Sequence, residues 1–327
     1  MSEMKVDNTV LVTGGAGYIG SHTCKELARA GFKPIVLDNL STGYRHNVKW
    51  GALVVGDISN KDLVKQVLKE YRPLAVMHFA GSAYVGESMI DPRKYYRNNT
   101  VATLALLEAL QEENVQTLVF SSTCATYGLP EYLPLDITHP QKPISPYGFS
   151  KFASEQMIIE FGRIYGLKFG LLRYFNAAGG DEEGELKEEH FPETHLIPLA
   201  LANAFGVGKK LTVFGTDYPT PDGTCIRDYV HVSNLATAHV STLNRIINGC
   251  THSEIRNLGS GRGYSVKEIL AAIKRVTGRK VEVEYTNRRL GDPPQLWAKP
   301  DNEFISNIGE DHLDRILLSA SLAFKNS

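Results

Sequence analysis

Four cysteines are all that the 327 residues carry, and Cys24, Cys124, Cys225 and Cys250 include neither a close pair nor a metal-type spacing. A disulfide framework is thereby excluded, and reduced thiols in a cytoplasmic protein are expected. No apolar run reaches the roughly 18 residues of a membrane span, and the amino end lacks the apolar core of a signal peptide. No membrane association is expected. Excess charge of one sign is missing too: 35 basic residues face 36 acidic ones, for a net charge of −1. Nothing global favours nucleic acid or an anionic surface as partner, so any anion site must be local. There is no internal repeat and no low-complexity linker, so a second domain should be docked rather than tethered. What is present, 43% hydrophobic and 22% charged residues, suffices for a sizeable core.

Short apolar runs at Val10–Thr13, Pro34–Leu37, Leu53–Val55, Ala75–Phe79, Thr117–Ser121 and Phe169–Arg173 alternate with helical stretches such as Lys61–Glu70 and Val101–Glu112. That rhythm predicts an α/β fold, a Rossmann-like doubly wound parallel sheet. Residues 1–175 are expected to form it, and 176–327 a smaller α/β substrate-binding domain, with about 227–258 packing back on the first. Gly180–Glu189, rich in acids, reads as a solvated loop, and Tyr218-Pro-Thr-Pro-Asp-Gly223 as a turn cluster.

Near the amino end an apolar run leads into Thr13-Gly-Gly-Ala-Gly-Tyr-Ile-Gly20 and then into a helical stretch from Ser21. Glycines let such a turn close tightly and let backbone amides approach a pyrophosphate at the positive end of the helix. The spacing fits Gly15-x-Gly17-x-x-Gly20 and Gly14-x-x-Gly17-x-x-Gly20 equally. Ile35-Val36-Leu37-Asp38 then ends a second strand in an acid. A carboxylate there accepts from adenosine ribose hydroxyls and repels a 2′-phosphate, favouring NAD over NADP.

Tyr147 and Lys151 stand one helical turn apart in Ser145-Pro-Tyr-Gly-Phe-Ser-Lys151. A phenol is a poor base at neutral pH, but a fixed cation favours the phenolate, and such a tyrosine takes a proton from an alcohol. Unrelated surface pairs share this spacing, so its weight comes from the glycine turn that accompanies it.

Thr13–Gly20, Phe79-Ala-Gly81, Phe120-Ser-Ser-Thr123, Tyr147-x-x-x-Lys151, Arg173-Tyr-Phe-Asn176, Arg227-Asp-Tyr229 and Arg288-Arg-Leu-Gly-Asp292 occur in that order. Together they resemble the nucleotide-sugar 4-epimerases of the extended short-chain dehydrogenase/reductase family, over about residues 8 to 300. The resemblance implies reversible epimerisation at C4′ of UDP-galactose and UDP-glucose through a transient 4-keto sugar and enzyme-bound NADH. It implies NAD contacts at Gly14, Gly17, Tyr18, Ile19, Gly20, Asp38, Asn39, Asp57, Ile58, Phe79, Ala80, Asn98, Tyr147, Lys151 and Phe175. Tyr147 would be the proton acceptor, with Thr123 holding the same sugar hydroxyl and Lys151 binding the nicotinamide ribose. The UDP-sugar would meet Thr123, Tyr147, Asn176, His195, Phe214, Arg227, Tyr229, Arg289, Asp292 and Leu296. Arg227 and Arg289 are assigned to the diphosphate and Asp292 to the uridine ribose; alone, either arginine reads better as a solvated surface residue. The helices carrying Val101–Glu112 and Ser150–Ile159 correspond to a dimer-forming pair, so a homodimer is implied.

Several positions depart from that pattern. Ala83 replaces a lysine near the cofactor pyrophosphate, and His195 replaces an asparagine. Leu296 stands where relatives have tyrosine or a small residue, which leaves N-acetylated and pentose sugars open as substrates. The tail lacks the usual Trp-containing ending, although Leu313, Ile316, Leu317 and Leu322 can form an apolar helix face. His190 and His195, flanked by Glu189 and Glu193, suggest a metal, but Pro192 interrupts any helix and the ligands need not converge. No metal is expected. Cys124 and Ala125 follow Thr123 where 4,6-dehydratases have an acid pair, which disfavours that chemistry. The remaining alternative, a catalytically silent NAD-binding regulator, is opposed by the intact Thr123, Tyr147 and Lys151 set.

Overall fold

The computed structural model describes residues 8–288, 292–306 and 308–325. The chain divides into two compact units, and elements are numbered along it.

The first unit takes 1–128, 141–173 and 236–256. Its strands are β1 (Thr9–Thr13), β2 (Lys33–Asp38), β3 (Ala52–Val55), β4 (Ala75–His78), β5 (Thr117–Thr123) and β6 (Lys168–Tyr174), with β10 (Ser253–Leu258) as a seventh at the edge. Their order, β10-β6-β5-β4-β1-β2-β3, reverses direction between β1 and β4, both parallel to their neighbours. A crevice forms beyond the strand ends at such a reversal. Flanking helices are α1 (Tyr18–Arg29), α2 (Lys61–Tyr71), α5 (Ala102–Glu112), α6 (Pro146–Tyr165) and α8 (Val232–Ile247), with short α3 (Val85–Ser88) and α4 (Pro92–Tyr95). Because both faces are covered, β1, β4 and β5 are buried along their whole length, with apolar residues through the middle and polar ones at the carboxyl ends. Leu11, Leu37, Leu106, Leu107, Leu118 and Leu171 fill the core between sheet and helices.

The second unit takes 129–140, 174–235 and 257–327. β9 (Ile226–His231) lies at its centre, paired with β7 (Asn176–Ala178), β11 (Gly263–Ser265) and β13 (Gln295–Leu296), while β8 (Leu211–Phe214) pairs with β12 (Val283–Thr286). Helices α7 (Leu196–Ala204), α9 (Val266–Thr277) and α11 (His312–Lys325), with short α10 (Asn302–Ser306), complete it. Leu201, Ile269, Ile273, Leu313, Ile316 and Leu317 form its core, so the divergent tail does present an apolar face. Gly180–Glu189 has no regular element, yet Asp181 and Leu186 are buried, so the expected solvated loop is partly inside. Among the described residues, no helix is long and apolar enough to cross a membrane.

Candidate active site

The glycine turn is shaped by close approach. Gly14 has φ +72°, and a Cβ there would stand 2.5 Å from the backbone nitrogen of Ala80. A Cβ on Gly20 would come 2.3 Å from the Gly14 carbonyl oxygen, so α1 can start against the turn only without one. Gly17 is the N-cap of α1 and no side chain caps it, which leaves the helix end open to an anion. Tyr18 and Ile19 follow in its first turn. Phe79 and Ala80 both donate their amides to the Thr13 carbonyl, at 2.9 and 3.1 Å, drawing the two loops at the β1/β4 reversal together.

Asp38 closes β2. Its Oδ2 accepts from the Ala16 amide at 3.0 Å and its Oδ1 from the Leu40 amide at 2.8 Å, which fixes the carboxylate beside the turn. Burial raises its pKa, and the two amides oppose that rise. Asn39 Nδ2 donates to Asp57 Oδ2 at 2.7 Å. Burial works to raise Asp57, but hydrogen bonds from Ser59 and Asn39 outweigh it and hold the carboxyl below its ordinary range. Ile58 is buried in the core. Asn98 donates to Ser82 Oγ at 3.1 Å. A glycine cradle at the strand-order reversal and an uncapped helix end, which donate to phosphate, and an acid closing β2, which accepts from ribose, are what a dinucleotide requires, and these residues fit NAD.

Ser145 caps α6 by accepting from the Gly148 amide at 3.1 Å, and Pro146 occupies the first helical position. This start places Tyr147 in the first turn and Lys151 one turn on. The Tyr147 hydroxyl hydrogen-bonds the Thr123 side chain at the carboxyl end of β5; burial pushes its pKa up to about 12, against the lowering effect of Thr123. Lys151 Nζ donates to the Ser121 carbonyl at 2.8 Å and lies 4.6 Å from the centre of the Phe120 ring. Burial pulls Lys151 down to about 8, and Glu155 opposes the shift. The cation is thus anchored to β5 rather than displayed at the surface.

Two further residues, which sequence reasoning missed, brace this group. Asn99, in the π-helical turn Tyr96–Val101, accepts from the Ser82 amide at 2.8 Å and donates to Ser150 Oγ at 2.9 Å, tying the loop after β4 to α6. Glu155, one turn beyond Lys151, receives Arg173 Nε at 2.9 Å and Nη2 at 2.7 Å, Gln141 Nε2 at 2.8 Å and the Ser122 hydroxyl. A Tyr-x-x-x-Lys-x-x-x-Glu spacing was the available signal.

The other expected residues lie in the second unit. Phe175 is buried, and Asn176 opens β7 opposite Tyr229 on β9. Phe214 ends β8. Arg227, on β9, is ion-paired with Asp292 and donates Nη1 to the Ile226 carbonyl at 2.7 Å. Burial works to lower this guanidinium's pKa, but Asp292, with Cys225 and Tyr229, leaves it raised. Burial pushes the Tyr229 phenol up. Leu296 is half-buried on β13, in register with Arg227. Arg289 lies outside the described residues. His195 is the N-cap of α7, and its Nδ1 stands 2.7 Å from Glu188 Oε1. Burial acts to lower His195, but Glu188 and Glu193 leave it raised. His190, Glu193 and His195 converge despite Pro192, with Glu188 in place of the expected Glu189. Asp228, not anticipated, is fully buried beneath Ser260, Gly261 and Ala298, whose four donors hold it. Burial raises it to about 6.

Residues 10–259 match the family described as Epimerase, the NAD dependent epimerase/dehydratase family. A UDP-glucose 4-epimerase of Rhizobium leguminosarum bv. trifolii is 48% identical over 314 residues, covering 95% of this chain and 96% of that protein. The crystal structure of UDP-glucose 4-epimerase from Brucella ovis in complex with NAD superposes with a TM-score of 0.93 at 49% identity, over 97% of this chain and 98% of that one. That of the Bifidobacterium longum enzyme in complex with NAD+ and UDP gives 0.90 at 35% identity, over 96% and 97%.

Proposed function

The chain belongs to the NAD dependent epimerase/dehydratase family, and we propose that it interconverts UDP-galactose and UDP-glucose by inverting C4′ of the sugar through a transient 4-keto form. The observation that carries this reading is the Tyr147 hydroxyl bonded to Thr123 at the end of β5, with Lys151 one helical turn on, in the unit whose glycine turn fits a dinucleotide. The turn, Asp38 and Lys151 would hold NAD, which would serve as hydride acceptor and then as hydride donor, so that no net oxidation results. Tyr147 takes the proton of the 4′-hydroxyl at Oη and returns it after the sugar has turned over. Thr123 holds that hydroxyl and shares the hydrogen bond, which favours the phenolate against the pull of burial. Lys151, fixed by Ser121, binds the nicotinamide ribose and keeps a positive charge on this face up to about pH 8.

In this proposal the first unit carries NAD, and the UDP end meets Asn176, His195, Phe214, Arg227, Tyr229, Arg289, Asp292 and Leu296 in the second. The working form is a homodimer: Val101, Leu104 and Phe149, on or beside α5 and α6, leave 56, 37 and 48% of their surface exposed, a patch a second copy would cover. Among the described residues the four cysteines form no disulfide, which suits the reducing cytoplasm.

The test is incubation of the purified chain with UDP-galactose and a coupled assay for UDP-glucose, without added NAD, beside an absorbance spectrum for retained cofactor. UDP-glucose formation is expected. A folded, NAD-bearing protein that forms none under a panel of UDP-sugars would leave the epimerase reading untenable.

A further inference from the structure

The loop entering α7 gathers two imidazoles and two carboxylates. Glu188, His190, Glu193 and His195 each offer one donor atom, and these atoms lie within 4.8 Å of one another. His190 Nδ1 is 3.3 Å from Glu193 Oε2 and 3.7 Å from Glu188 Oε1. His195 Nδ1 is 3.5 Å from Glu193 Oε1 and 2.7 Å from Glu188 Oε1. Four ligands about 2.1 Å from a tetrahedral zinc ion stand about 3.4 Å from one another. The separations of His190 Nδ1 from Glu193 Oε2 and from Glu188 Oε1 already have that scale, and the His195–Glu188 contact is a hydrogen bond that an ion would replace.

A second observation points the same way. The Glu188 side chain is only 4% exposed, and its Oε2 has no hydrogen-bond partner. A buried carboxylate oxygen left in this way is costly unless something else satisfies it. Glu193 is oriented as a ligand would be: its Oε1 accepts from the amides of Thr194 at 2.7 Å and His195 at 2.8 Å, which leaves Oε2 facing His190. The amino end of α7 opposes a cation, but two carboxylates converging there outweigh a helix-end partial charge of about half a unit.

We propose that Glu188, His190, Glu193 and His195 bind one divalent first-row transition ion, zinc being the best match, which closes the loop onto α7. Two nitrogen ligands disfavour magnesium and calcium, and four protein ligands with no open position describe a structural site. The proposal shares His195 with the epimerase reading, and its test, metal binding by variants of Glu188 and His190, is read separately from turnover.

The test uses the full-length protein freed of metal by a chelator and then titrated with Zn2+, with Co2+ as a spectroscopic probe. One equivalent should bind, and Co2+ should give the visible absorption of a tetrahedral complex. Glu188→Gln and His190→Asn should each weaken Zn2+ by about 10-fold or more, with circular dichroism checking the fold, while Glu189→Gln should bind as the parent does. If Glu188→Gln does not fold, His190→Asn, on a partly exposed side chain, carries the comparison. Absence of saturable Zn2+ binding by the folded parent, or an affinity that the variants leave unchanged, overturns the assignment.

Discussion

Each unit buries a glutamate, and the two are held in opposite ways. Glu155 has both oxygens engaged, by Arg173, Gln141 and Ser122. Glu188 meets His195 through one oxygen and nothing through the other. Their origins explain the difference. Tyr147, Lys151 and Glu155 follow at single-turn intervals along α6 beside β5, so the adjacent strands supply Arg173 and Ser122 and only Gln141 comes from a loop. Glu188 sits on an irregular loop whose partners are other loop residues. A charge network drawn from regular elements completes itself and fixes the position of the chemistry, whereas one drawn from a loop retains an unmet valence.

If the first network is complete without the Tyr147 hydroxyl, removing that hydroxyl should cost rate and little else. Tyr147→Phe is expected to lose about 10² to 10⁴ in turnover, with an unchanged midpoint of thermal unfolding and retained NAD. A folded Tyr147→Phe enzyme turning over near the parent rate would remove Tyr147 from the chemistry.

The next largest effect contrasts the two glutamates directly. Arg173→Met strands the Glu155 charge in the core and should destabilise the fold by about 3–5 kcal/mol. Glu188→Gln in metal-free protein, beside a His195 side chain that is 44% exposed, should cost about 1 kcal/mol or less. Denaturant unfolding of both variants measures the gap. Equal losses would mean that the loop glutamate is as fully built in as the helical one.

The same contrast decides what the sequence made legible. The glycine turn, Asp38 at the end of β2 and the Tyr147/Lys151 pair were readable because each lies within one element or one strand–turn–helix unit, where local spacing dictates geometry. The pairing of Glu155 with Arg173 joins α6 to β6, and the clamp by Asn99 depends on a π turn; neither distance is written in a local pattern. The convergence of Glu188 with His190, Glu193 and His195 is not legible, because Pro192 removes any helical register and nothing local selects Glu188 over Glu189 as the partner. A proline bars a helix, but an irregular loop can still fold its side chains together.

Lys151 offers a pH test of how strongly the first network constrains its charge. Its folded pKa, lowered to about 8 by burial, lies below the ordinary lysine value of 10.5. The unfolded chain therefore holds more protons between those values, and stability should rise with pH from about 8 to 10.5, recovering about 3 kcal/mol in all. Below pH 8 that cost is present in full. Lys151→Met should lack this rise, so the difference between parent and variant unfolding free energies, followed across that range, isolates the lysine. Parallel curves would show that burial does not perturb its charge.

The smallest effect belongs to the second unit, where selectivity rests on shape. Leu296 is half-buried on the two-residue strand β13, next to Arg227, and in the proposed function it borders the sugar. A leucine leaves more room than a tyrosine and fills more than a serine or cysteine. UDP-glucose and UDP-galactose should therefore be preferred, with slower turnover of their N-acetylated forms. The acetamido group must fit in both orientations the sugar adopts, so one intruding ring can exclude it without hindering the plain hexoses. Apolar shape discrimination is worth about 1–3 kcal/mol for a methylene-sized difference, so the parent preference should be graded, and Leu296→Tyr should sharpen it. The measurement is the ratio of N-acetylated to plain sugar turnover in parent and variant. An unmoved ratio would place Leu296 outside the sugar's reach and leave the selectivity of this unit to its loops, as the open valence of Glu188 already does for its charge.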